Sequence, residues 1–250
     1  MVFRHESPAH RAAASMQVKA DSPALIPLPR TLLLWLTVGV AGAVLFTMIY
    51  LIEGATRPGY SAWQQPVSAL SLGPGGWVQQ ANFVVYGVCT LCMAVAWRKV
   101  LIGGVGALSY PIIRGIEGLV AILVGFFSQD PAGYPPGTTV TTLTLHGEIH
   151  ILGAFVLVGA IVFAFLVMAW RFARDLHWWG WAAYSVLSAL LTLVFMALFG
   201  MAQQHGGDAG LFERLAVSTE PIWGVLLLAR LLVGTRVMRP PTQIILPARL

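Results

Sequence analysis

The 250-residue chain is 57% hydrophobic and 10% charged, with a formal net charge of +5. Soluble domains carry roughly 25% charged residues, so the composition excludes a water-dissolved globule and points to a bilayer as solvent. The basic excess is spread over the connections between apolar runs and implies no nucleic-acid partner.

Residues 1–30 are polar and hold Pro23, Pro27 and Pro29 ahead of the first apolar run. A signal peptide would start its apolar core earlier and end at a small-residue cleavage site. The segment therefore reads as a cytoplasmic tail, with the first span retained. Runs apolar enough to cross a bilayer follow at 31–52, 79–97, 109–128, 150–170, 179–200 and 221–238. They predict an all-α polytopic bundle of six transmembrane helices over residues 31–238, then a second cytoplasmic tail over 239–250. No internal repeat is evident.

Of fifteen Lys and Arg, eleven share one side if the amino terminus is inside: Arg4, Arg11, Lys19, Arg30, Arg98, Lys99, Arg171, Arg174, Arg236, Arg239 and Arg249. Arg57 and Arg214 fall on the other side, and Arg114 and Arg230 lie within spans. This bias predicts a multi-pass plasma-membrane protein with both termini cytoplasmic, in contact with anionic lipid.

Within the second span, Cys89 and Cys92 form a C-x-x-C whose expected role is small apolar packing. Arg114 and Glu117, three apart in the third span, are expected to form a structural pair rather than a proton relay, with Arg114 snorkelling inward. Trp178, Trp179 and Trp181 read as an interfacial belt. Glu220 precedes Pro221, a natural first helical residue, so it is expected to cap the sixth span. The outer connections, 53–78, 129–145 and 201–220, are rich in Gly, Pro and polar groups. Within the first of them, "VSALSLG" is apolar enough to lie in the interface or fold back into the bundle.

Chemistry, if any, belongs to that outer side. The stretch "LTLHGEIHIL" places His146 and His150 four apart, on one helical face one turn apart. Glu148 points roughly 160° away from both and is a poor general base. With Asp130, which ends the third span, the two imidazoles would give three ligands and an open fourth position for a zinc-bound water; His205 is a reserve ligand. Zinc hydroxide would then attack a lipid-like ester or amide, with Ser68 hydrogen-bonding the bound water or the developing oxyanion. The other reading is non-catalytic. In it the histidines cap a helix or bond a loop, Asp130 starts a turn before Pro131, and the outer cluster is a packed network or a surface for a small molecule or partner. Two histidines on one helical face cannot clamp a single haem iron between them, so no haem is expected. Transport finds little support in six spans with no repeat and few ionisable residues at mid-depth.

Several stretches together, "RPGYSAWQQPVSALSLG", "GFFSQDPAG", "TLHGEIH" and "GLFERL…IWGVLLLARLL", resemble the prokaryotic membrane-protein family called domain of unknown function 998, in order over about residues 32–236. The resemblance implies a six-helix membrane domain and no established activity. It matches the polar residues Arg57, Tyr60, Ser61, Ser68, Asp130, His146, His150 and Arg214. The sequence departs where an acidic residue would follow Ser68 and Ala69 stands instead. More distantly, a serine, an aspartate and a histidine pair at a membrane boundary are similar to the CREST group of membrane hydrolases, which use zinc to cleave lipid amides; the analogy rests on residue types and position alone.

Overall fold

The structure is a computed structural model that describes residues 29–131, 134 and 142–233. The tails expected at 1–30 and 239–250 lie almost wholly outside the described residues. Among the described residues there are six α-helices: α1 (Arg30–Thr56), α2 (Trp77–Val100), α3 (Ser109–Phe126), α4 (Leu145–Phe172), α5 (Trp179–His205) and α6 (Ala209–Val233). Each is long and apolar enough to cross a membrane, and no strand occurs among the described residues. Each helix packs on its neighbour in the chain and α6 closes against α1, so the helices form a ring in sequence order. Large apolar side chains such as Met48, Phe155, Phe163 and Leu190 face outward from it. In water such a surface would aggregate; in lipid it is the solvent-facing surface.

Small residues let the helices approach. A side chain at Gly39 or Gly42 of α1 would collide with Met93 or Cys89 of α2. Where α2 crosses α3, Gly87 faces the Gly118 carbonyl and Gly118 the Gly87 carbonyl. Backbone contact of this kind replaces the hydrophobic drive that lipid removes. Cys89 is thus a packing residue seated on Gly42.

Two expectations need correction here. The sixth span starts at Ala209, not 221, and Pro221 lies inside the helix. Its first turns, with Glu213, Arg214, Ser218, Thr219 and Glu220, are too polar to register as a span, yet each of these residues bonds inside the bundle, to Val67, Ala62, Tyr50, Thr192 and Arg114 respectively. Glu220 is therefore no helix cap; it is buried near mid-helix. The tryptophan belt is also partial. Trp179 is exposed, but Trp178 is buried, stacked on Phe172 with the Arg230 guanidinium 5.2 Å from its ring centre.

The α1–α2 connection folds back into the ring and plugs one end, here termed the capped end. Its 3₁₀ turn, Val67–Ser71, is wholly buried and packs with Tyr50, Tyr60, Leu72 and Tyr134. Two arginines pin it. Arg57 donates to the carbonyls of Leu72 and Gly75, each at 3.1 Å, and pairs with Glu53 at 2.5 Å. Arg214 donates to the carbonyls of Ala62 (2.6 Å), Gln65 (3.1 Å) and Gly210 (2.9 Å) and to the Tyr60 hydroxyl (2.6 Å).

Candidate functional site

The capped end gathers the residues that the sequence singled out, and most are engaged in closing the chain on itself. Asp130 accepts from the Thr144 amide at 2.8 Å and the Thr144 hydroxyl at 2.6 Å, so both carboxylate oxygens brace the start of α4. These bonds, the hydroxyl first, hold its carboxyl below the usual carboxylate range. Thr144 in turn caps the helix by accepting from the Gly147 amide at 3.2 Å. Phe127, just past the end of α3, meets both histidines: its carbonyl lies 2.7 Å from Nδ1 of the buried His150, and its ring lies 4.9 Å from the ring of the exposed His146. A carbonyl only accepts, so His150 carries a proton on Nδ1 and donates it. Glu148 is exposed. Ser68 is buried and donates to Gln129 Oε1 at 2.5 Å. His205 sits exposed at the end of α5, bonded to its own helix at Met201.

Among the described residues, no three His, Cys, Asp or Glu side chains are grouped so as to hold a metal ion. The expected zinc set of Asp130, His146 and His150 therefore finds no support in the geometry. The physical reason is that the carboxylate turns toward Thr144 and the His150 Nδ1 toward Phe127.

A second cluster lies inside the ring. Arg114 and Glu117 of α3 pair at 2.7 Å, as the i,i+3 spacing predicts. Glu220 of α6 joins them through the other guanidinium nitrogen, Nη2. The Tyr86 hydroxyl of α2 lies 2.6 Å from Glu220 Oε2 and also touches Glu117 Oε1. Arg114 is 2% and Glu117 0% exposed, so this guanidinium does not snorkel to either surface. At 1.5 Å per residue, Tyr86 lies about 14 Å below the capped end of α2 and Glu220 about 17 Å along α6. The cluster is at mid-depth.

Its charge does not balance. One guanidinium faces two carboxylates, and the single phenol proton can serve only one carboxylate at a time. Arg114 Nε has no hydrogen-bond partner among the described residues. Beside Arg114 and Glu220 is a cavity of about 30 Å³, lined also by Leu36, Trp97, Tyr110 and Trp223. That is room for one or two waters. The Trp97 indole N–H, on this lining, is likewise unpartnered.

Sequence reasoning missed Tyr86 and the partnership of Glu220. A usable signal existed for the tyrosine: Gln79, Asn82, Tyr86 and Thr90 recur at three- and four-residue spacing, which draws a polar stripe down one face of an otherwise apolar helix. No such signal linked Glu220 to Arg114, because that contact crosses the ring.

Residues 40–230 match the family described as Protein of unknown function (DUF998). No curated protein and no solved structure matches the chain.

Proposed function

The chain belongs to the DUF998 family, and from the interior of its bundle we propose that it is a proton-handling integral membrane protein whose working group is the Glu117–Tyr86–Glu220 unit. The observation that carries this reading is the charge count at mid-membrane: two buried carboxylates, Glu117 at 0% and Glu220 at 7% exposure, share one guanidinium and one phenol. With both carboxylates ionised, the cluster holds an uncompensated negative charge where desolvation is most costly. One added proton, held in common by the two carboxylates through the Tyr86 hydroxyl, makes it neutral. Tyr86 can donate to one glutamate while accepting from the other. The proton can then pass across the phenol with each oxygen keeping its hydrogen bonds. Arg114 holds both carboxylates in place, and Tyr110, on the turn before it, is the remaining titratable neighbour within electrostatic reach. Ionisable groups at this depth are the exception in membrane proteins and mark proton or ion pathways.

Infrared spectroscopy of the purified protein tests this. A protonated carboxylic acid band is expected that titrates away as pH rises, is lost in Glu117→Gln and in Glu220→Gln, and persists in Glu213→Gln, which removes the other carboxyl buried against the Val67 turn. A spectrum with no protonated carboxyl at any pH where the protein stays folded overturns the reading.

The basic bias of the connections supports a plasma-membrane location with the capped end outside. The metal-hydrolase expectation would need Asp130 freed from Thr144 and the His150 ring turned from Phe127. Stoichiometric zinc in the purified protein, lost on His146→Ala, would carry that reading instead. In its place, the capped-end cluster is read as a structural brace, so Asp130→Ala is expected to lower the melting temperature and leave metal content unchanged.

A further inference from the structure

The interior cluster needs a route by which a proton reaches it. We infer that the inward stripe of α2, Gln79 and Asn82 above Tyr86, is a water-lined proton path from the capped end to the buried carboxylates; this rests on the proton-site reading above.

Gln79 is fully buried and Asn82 is 3% exposed. Asn82 Nδ2 donates to the Phe46 carbonyl at 3.0 Å and to Gln79 Oε1 at 3.1 Å. That leaves Asn82 Oδ1 and Gln79 Nε2 buried with no partner among the described residues. The turn that packs on the start of α2 carries Ser68, which donates to Gln129 Oε1, and Gln129 Nε2 is also buried and unpartnered. Unpaired amide atoms in an apolar interior are costly and rare. Thr90 Oγ1 and Trp97 Nε1 continue the unpartnered atoms of α2 beyond Tyr86; on the capped-end side the amides of Gln79, Asn82 and Gln129 mark ordered water, which supplies the missing donors and acceptors. The spacing fits. Helical rise separates Gln79 from Asn82 by about 4.5 Å and Asn82 from Tyr86 by about 6 Å, and one water making two hydrogen bonds of about 2.8 Å spans such a step. A proton entering at Ser68 and Gln129 would move along these waters, each accepting one proton and passing on another. It would reach Tyr86 Oη as the phenol gives its own proton to a carboxylate, so no co-reactant is required.

The test follows hydrogen–deuterium exchange of the carboxylic acid band after rapid mixing with heavy water, in the full-length protein. Asn82→Leu and Gln79→Leu are each expected to slow exchange about tenfold or more while leaving the band amplitude unchanged. Asn82→Ser, which keeps a hydroxyl and frees space for water, is expected to restore the rate. A purely structural role for Asn82 would shift the melting temperature without this rescue. If Asn82→Leu does not fold, Gln79→Leu carries the test. Parental exchange rates in both leucine variants overturn the path, as does slowing confined to Thr90→Val, on the far side of Tyr86. Absence of the band in the parent overturns the proton site itself, so the two failures are distinguishable.

Discussion

Arg214 illustrates how much of the capped end rests on single side chains. Its guanidinium spends its hydrogen bonds on three carbonyls and the Tyr60 hydroxyl, and lies 5.8 Å and 5.6 Å from the rings of Tyr50 and Tyr60. Gly54 and Gly210 are the small residues that make room for it. Arg214→Ala strips buried acceptors of a charged donor, so a loss of about 3 kcal/mol is expected, read as a lower melting temperature in detergent. Burial pushes the Tyr60 phenol up to about 12, the nearby guanidinium pulling against it. The unfolded phenol ionises near 10. The folded state therefore keeps its full stability below that pH and loses it as pH rises toward 12, an effect that Tyr60→Phe should abolish. Asp130 has the opposite sign: its bonds to Thr144 stabilise the fold above about pH 4 and are lost as pH falls through its lowered value. Asp130→Asn should flatten that acid limb in a melting series. Residue types and positions at this end were legible in the sequence. Their partners were not, because most are backbone oxygens of a loop, and composition does not say where a loop's carbonyls point.

At the scale of elements, the Gly87–Gly118 crossing positions the chemistry. These glycines directly follow Tyr86 and Glu117, so the close approach of α2 and α3 is what brings phenol to carboxylate. A Cβ at Gly87 would collide with the Gly118 carbonyl, which cannot move as a side chain can. Gly87→Ala is expected to cost about 1–3 kcal/mol and to alter the carboxylic acid band as Tyr86 withdraws; an unchanged spectrum would separate the crossing from the site. Five of the six spans were legible from apolar length alone. The sixth was misplaced because length-based reading treats polar residues as water-facing, whereas Glu213 accepts from the buried Val67 amide at 2.5 Å and Glu220 pairs with Arg114. A polar turn facing a protein interior and one facing water have the same composition.

At the scale of the molecule, the all-helical membrane class followed from the scarcity of charge, and the ring order could not, since hydropathy carries no information about which helices touch. The same gap explains why Arg114 and Glu117 could be read as a sufficient pair. The ring also bears on how the protein is made. Arg114 and Glu117 reach the translocon on one helix, already neutralising each other, so α3 enters lipid without a net charge. Glu220 arrives last, with no partner on its own helix at comparable depth, and meets its countercharge on Arg114 only when α6 packs into the ring. Closing the ring is therefore what seats the second carboxylate, and a chain halted before α6 would leave Arg114 with Glu117 alone.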